Sequence, residues 1–67
     1  MLRIYVNGQA KEVEADTTVL QLLTELKLDA TRVAVERNLE IVLRKTFAEA
    51  KLTSDDRLEI VTLVGGG

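Results

Sequence analysis

Leu2, Ile4 and Val6 alternate with Arg3, Tyr5 and Asn7 at the start of the chain, a period of two that predicts a strand with one buried face. Asn7-Gly8 then turns it, because both central positions of a type I′ hairpin turn need positive φ. A second strand is expected over Gln9 to Ala15, with Glu12 and Glu14 toward water and Lys11, Val13 and Ala15 on the other face. Thr18-Val19-Leu20-Gln21 fits a capping box: the Thr18 hydroxyl accepts from a first-turn N–H and the Gln21 side chain reaches back. From there Val19, Leu22, Leu23 and Leu26 lay one apolar stripe along a helix that runs to about Lys27. Such a stripe needs a sheet to cover.

The second half supplies it. Val33-Ala34-Val35 is a short β-type run stopped by Glu36-Arg37-Asn38, and Ile41-Val42-Leu43 is another, joined to the first by a turn near Asn38-Leu39. Phe47 and Leu52 are expected to plug a loop or short 3₁₀ turn between Arg44 and Thr53. Ser54-Asp55-Asp56 reads as a turn by composition. It opens a strand from Arg57 to Val64 in which Leu58, Ile60, Thr62 and Val64 form one row and Arg57, Glu59, Val61 and Leu63 the other. Both rows carry aliphatic groups, so this strand is expected to be central. The order of elements predicts an α+β fold, a ubiquitin-like β-grasp with one main helix packed across a mixed sheet. In it the first and last strands lie parallel and adjacent. Residues 1–64 would form this domain and residues 65–67 a flexible tail.

Composition narrows the chemistry. Sixty-seven residues allow one domain, and 46% hydrophobic against 30% charged residues is a globular balance. With one Phe, one Tyr and no Trp, the core must come from Leu, Val, Ile and Ala. The lack of Cys and His removes thiolate sites and the commonest acid-base group and metal ligand. A net charge of −2 gives no basic field for nucleic acid or anionic lipid. No apolar run approaches a membrane span, and a cytoplasmic protein is the default. Glu12, Glu14 and Asp16 are read as a solvated face rather than a metal site, and Asn7-Gly8 as a hairpin turn that marks the fold.

The chain closes on Gly65-Gly66-Gly67. At average glycine usage, three in succession at a chosen position arise by chance about 3 times in 10,000, which makes coincidence a poor account. Without Cβ atoms such a segment can thread a channel too narrow for side chains. Extended, three residues reach about 10 Å past the last strand. A frayed terminus is the bland alternative, and the strand running straight into the glycines argues against it. If Leu58 and Ile60 face the helix, alternation sends Val61 and Leu63, with Tyr5 of the neighbouring strand, to the open face. There they form a partner-docking patch, unless loop residues such as Phe47 cover it.

With these residues in hand, the whole chain resembles the ThiS family of sulfur carrier proteins. The resemblance lies in Val6-Asn7-Gly8, Thr18-Val19 with Leu22-Leu23, Val33 to Asn38, Arg44, and Leu58-Glu59-Ile60-Val61 running to Val64-Gly65-Gly66-Gly67. Leu43, where many relatives have Pro, and Asp55, where the final turn often has Gly, depart from it. The resemblance implies that an E1-like adenylyltransferase (ThiF-type) adenylates the carboxylate of Gly67 with ATP. Sulfur from a donor such as a cysteine desulfurase then displaces AMP, and the thiocarboxylate gives its sulfur to thiazole synthase (ThiG-type) in thiamine biosynthesis. The carrier would be no enzyme, with no catalytic residue and no bound cofactor. Three rivals stand beside this reading: the small subunit of molybdopterin synthase, a ubiquitin-like protein modifier, and a β-grasp interaction module without tail chemistry. The length and the Val33 to Asn38 stretch favour the thiazole carrier.

Overall fold

The computed structural model describes residues 1–64, and the three glycines that follow lie outside the described residues. Five strands form one sheet in the order β2-β1-β5-β3-β4, with α1 laid across one face. β1 (Leu2–Val6) and β2 (Gln9–Val13) make an antiparallel hairpin whose register pairs Leu2 with Val13 and Val6 with Gln9. Its turn has Asn7 at φ 49° and Gly8 at φ 86°, the two positive values a type I′ turn requires. β2 stops at Val13 rather than Ala15. Asp16 takes φ 72° and the Thr17 N–H donates to the Glu14 carbonyl at 3.2 Å, so the chain has already turned.

α1 (Val19–Glu25) begins at the capping box read from the sequence: the Gln21 N–H donates to the Thr18 hydroxyl at 3.1 Å, and the Thr18 N–H to the Gln21 side chain at 2.9 Å. It ends two residues before the expected limit, because Lys27 turns left-handed at φ 62°. The Leu28 N–H then donates to the Leu23 carbonyl and the Lys27 N–H to that of Thr24, the pairing of a Schellman cap with Lys where Gly is usual. This cap folds Leu28 back against the core.

β3 (Val33–Arg37) and β4 (Glu40–Ile41) form the second hairpin. Here too both turn residues have positive φ, Asn38 at 53° and Leu39 at 73°. A side chain as large as Leu is strained there, and Leu39 gets no burial in return: it is 91% exposed. β5 (Arg57–Thr62) runs between β1 and β3, parallel to the first with Tyr5 beside Arg57, and antiparallel to the second with Ala34 beside Val61. Its launching turn places Asp55 at φ 69°, a conformation that Asp tolerates better than most residues with a side chain.

The core lies between α1 and the sheet. Ile4, Val13, Val19, Leu22, Leu23, Val33, Val35, Leu58 and Ile60 fill it, and Phe47 and Leu52 close its open end from the 44–53 loop, as expected of them. That loop holds a 3₁₀ turn at Arg44–Thr46 and is tied to the helix by Val19 and Leu20 N–H groups donating to the Ala50 and Phe47 carbonyls. Asn7 adds a stitch to the centre of the sheet. Its side-chain amide donates to the Ile60 carbonyl at 3.1 Å and accepts from the Ile60 N–H at 2.8 Å, continuing the β1–β5 ladder where the β1 backbone has turned away.

Candidate functional site

Alternation along β5 sorts its side chains into two environments. Leu58 and Ile60 are buried against the helix, whereas Arg57, Glu59 and Val61 point to the open face. Val61 is 61% exposed, and Leu63, one step past the strand end, is 49% exposed. Leu63 is still held in place: its N–H donates to the Arg32 carbonyl at 2.7 Å. Val64 beyond it is 93% exposed. Phe47 points into the core and leaves both Val61 and Leu63 open to solvent.

Register extends the apolar area across three strands. Ala34 is the β3 partner of Val61, and Glu36 pairs with both Glu59 of β5 and Ile41 of β4, which puts Ile41 on the same open face. Ala34, Ile41, Leu43 and Leu63 rim a shallow depression of about 230 Å³. Arg44 fixes its border by donating from Nε to the Ala30 carbonyl at 3.0 Å and from a terminal guanidinium nitrogen to that of Val33 at 3.5 Å.

Tyr5 shares the open face but not this patch. It lies beside Arg57, whose guanidinium carbon is 4.7 Å from the ring centroid, and Val61 is four residue steps further along the strand, about 13 Å. Between the two ends, Glu36 and Glu59 face each other across the β3–β5 ladder, and neither joins an ion pair among the described residues. The open face thus has a Tyr5-Arg57 end, an acidic middle and an apolar end at the residues that lead into the tail. Gly65, Gly66 and Gly67, read as the working tail, lie outside the described residues.

Sequence reading missed Ala34, Ile41 and Leu43 as parts of this patch. The signal was available: counting out from the Asn38-Leu39 turn sets Glu36 opposite Ile41, and alternation does the rest. It also missed Asp56, taken as a turn residue. Asp56 is 3% exposed and saturated with donors: Arg37 at 2.7 and 2.8 Å, the Thr53 N–H at 2.8 Å, the Thr53 hydroxyl at 3.0 Å and Asn38 at 3.1 Å. Burial pushes its carboxyl upward, but the bonds from Thr53, Asn38 and Arg37 outweigh it and hold the group below the usual carboxylate range. Asp56 ties the β3–β4 turn to the start of β5. Thr31 likewise lowers Asp29, whose carboxylate caps the 3₁₀ turn Ala30–Arg32.

Among the described residues no group of three or more acidic side chains could hold a metal ion, and no helix is long and apolar enough to cross a membrane. Within the acidic stretch, Glu12 pairs with Arg3 at 3.8 Å and Asp16 with Lys51 at 3.6 Å.

Comparison with known families matches residues 4–67 to the model of the ThiS family. The chain belongs to the ThiS family. It is 38% identical over 65 residues to the sulfur carrier protein ThiS of Bacillus subtilis, covering 96% of this chain and 98% of that one. Identity to the thiazole synthase of Paramagnetospirillum magneticum is 44% over 66 residues, 98% of this chain. This chain spans only 20% of the length of that synthase. Among solved structures, the thiamine biosynthesis protein ThiS of Geobacter metallireducens superposes with a TM-score of 0.82 at 33% identity, covering 98% of this chain and 100% of that one. The five-stranded mixed sheet with one helix is the ubiquitin-like β-grasp of the ThiS proteins.

Proposed function

We propose that this chain is a sulfur carrier of thiamine biosynthesis, with the carboxylate of Gly67 as its working group. What supports the reading above all is the match to the ThiS family along residues 4–67, which takes in the tail, together with near-complete mutual coverage with the Bacillus carrier. The geometry adds a reason of its own: the exposed apolar patch of Val61 and Leu63 is continuous in sequence with the glycines, so a partner that grips the patch has the tail at hand.

In this reading a ThiF-type adenylyltransferase docks on the open face and draws Gly65-Gly66-Gly67 into its active site. A free α-carboxyl, with pKa near 3.3–3.7, is ionised at neutral pH. Its oxygen attacks the α-phosphate of ATP and pyrophosphate leaves. The acyl adenylate then has a good leaving group, which a carboxylate lacks, and sulfur supplied by a donor such as a cysteine desulfurase displaces AMP to give a thiocarboxylate. Thiazole synthase is the acceptor. The similarity of this chain to a fifth of two thiazole synthases supports that pairing. Nucleotide, metal and catalytic groups belong to the partners, the chain serves as a protein co-substrate rather than an enzyme, and the cytoplasm is where it acts.

The test is incubation with a cognate adenylyltransferase, ATP and a sulfur source, followed by intact mass measurement. One oxygen-to-sulfur exchange located at Gly67 is expected. An unchanged mass with an enzyme shown to be active on its own carrier would overturn the reading.

A further inference from the structure

We propose that Asn7 is a modification site, a spontaneous deamidation whose rate is gated by the clamp between its side chain and β5. The inference goes beyond sulfur carriage and stands whether or not Gly67 carries sulfur.

The chemistry follows from the sequence of the turn. The backbone nitrogen of Gly8 can attack Cγ of Asn7, forming an N–C bond and losing its proton while the Cγ–Nδ2 bond breaks and ammonia leaves. The five-membered imide takes up one water and opens to aspartate or isoaspartate. Glycine is the neighbour that hinders such an attack least, and no atom beyond the two adjoining residues comes within 4 Å of where a Gly8 Cβ would stand. The turn is also exposed, so water reaches it freely.

The fold opposes this reaction at one place. Both polar atoms of the Asn7 amide are committed to Ile60, by the 3.1 Å bond to its carbonyl and the 2.8 Å bond from its N–H. For Nδ2 to leave as ammonia it must give up its bond to the Ile60 carbonyl, and turning the amide into an imide ring pulls Oδ1 from the Ile60 N–H, so the reaction leaves two strand groups of β5 without partners. Attack therefore waits on local opening, and folded chain reacts in proportion to the fraction open.

Conversion is also one-way in its effect on the sheet. An aspartate at position 7 keeps an acceptor for the Ile60 N–H but sets a second acceptor against the Ile60 carbonyl, where a donor had been. An isoaspartate routes the main chain through Cβ, lengthening it by one carbon between the residue-7 Cα and the Gly8 nitrogen, and takes away the side-chain amide that bonds Ile60. Either product loosens β1 from β5, the strand that leads into the tail.

The other asparagine supplies an internal control. Asn38 sits at the same position of the second hairpin turn and is held equally well, donating to Asp56 at 3.1 Å and accepting from the Arg57 N–H at 2.9 Å, but Leu39 follows it in place of Gly. Chain incubated at mildly alkaline pH, in native buffer and in denaturing urea, and followed by intact mass and peptide mapping, tests the proposal. In urea Asn7 is expected to convert before Asn38, and in native buffer at least roughly tenfold more slowly than in urea. The variant Leu58→Ala, which loosens β5, is expected to speed the native reaction. The variant Asn7→Asp, which reproduces one product, is expected to raise the unfolding equilibrium constant roughly tenfold. No conversion of Asn7 in urea would overturn the site, equal rates in buffer and urea would overturn the gate, and an unchanged urea midpoint for Asn7→Asp would overturn the role of the clamp.

Discussion

The two rows of β5 are built from similar residues and meet opposite environments. Leu58 and Ile60 are buried against α1 and hold the fold together, while Val61 and Leu63, of the same aliphatic kind and one position out of phase, lie on the open face with about half or more of their surface in water. The fold gains nothing from an aliphatic side chain in water, so the difference teaches that burial marks what the fold needs, while a contiguous exposed apolar patch is where the proposed docking must be sought. Asp56 belongs to the inner row by parity. Its burial is tolerated only because every lone pair it points inward meets a donor.

The sharpest way to break this comparison is to place one charge in each row. Ile60→Asp puts an unpaired carboxylate under the helix and is expected to cost several kcal/mol, a large part of the 5–15 kcal/mol that holds a typical domain. Circular dichroism in water should find it largely unfolded. Second in size is Asp56→Ala, which leaves the Thr53 N–H and the Asn38 amide without their acceptor while Arg37 keeps its bond to the Lys51 carbonyl, and is expected to cost roughly 1–3 kcal/mol at neutral pH by urea denaturation. Its pH dependence carries a sign. Because the folded-state pKa of Asp56 lies below its unfolded value of about 3.9, the carboxylate's contribution is complete above that pH and is lost as pH falls through the folded value. The gap between wild type and Asp56→Ala should therefore narrow on the acid side of pH 4 and stay constant above it. A gap that widened in acid would refute the role given to the network.

The outer row should respond in the other direction or not at all. Glu59→Lys replaces the repulsion across from Glu36 with attraction and is expected to raise stability by roughly 0.2–1 kcal/mol, read as a shift of the urea midpoint. Leu63→Asp has the smallest expected effect on folding, within about 0.5 kcal/mol, because its new charge stays in water. The same variant is expected to weaken binding to the adenylyltransferase more than tenfold in a titration, since docking would desolvate that charge. If Leu63→Asp unfolds the chain while Ile60→Asp binds normally, the two faces have been assigned the wrong way round.

Much of this is legible in the sequence alone. Period-two alternation gave β1 and β5, the Asn-Gly dipeptide gave the first turn and Thr18 with Gln21 gave the helix start, because each of these is a local rule obeyed locally. The helix end was legible only to within two residues, since Lys27 fills a left-handed position that Gly usually marks. Ile41 and Leu43 were seen as strand residues but not as neighbours of Leu63. That proximity depends on a register three strands wide, set by a turn whose second residue, Leu39, carries no turn signal. Asp56 was hidden for a related reason: Ser54-Asp55-Asp56 looks like solvent-facing turn chemistry, and only the arrival of Arg37 and Asn38 from another hairpin makes its burial possible.

The seam at the middle of the sheet joins the first strand to the last, with Tyr5 beside Arg57. Each hairpin can form early from neighbouring residues, but the two cannot be united until β5 has been synthesised and has slid between them, and closing so long a span is a slow step. Loss of a few residues from β5 therefore removes a keystone rather than an edge. The row that carries Val61 and Leu63 exists as a surface only after the seam has closed. In the proposed carrier role, an adenylating enzyme that docked on this surface would be blind to nascent or misfolded copies and would commit ATP only to folded ones.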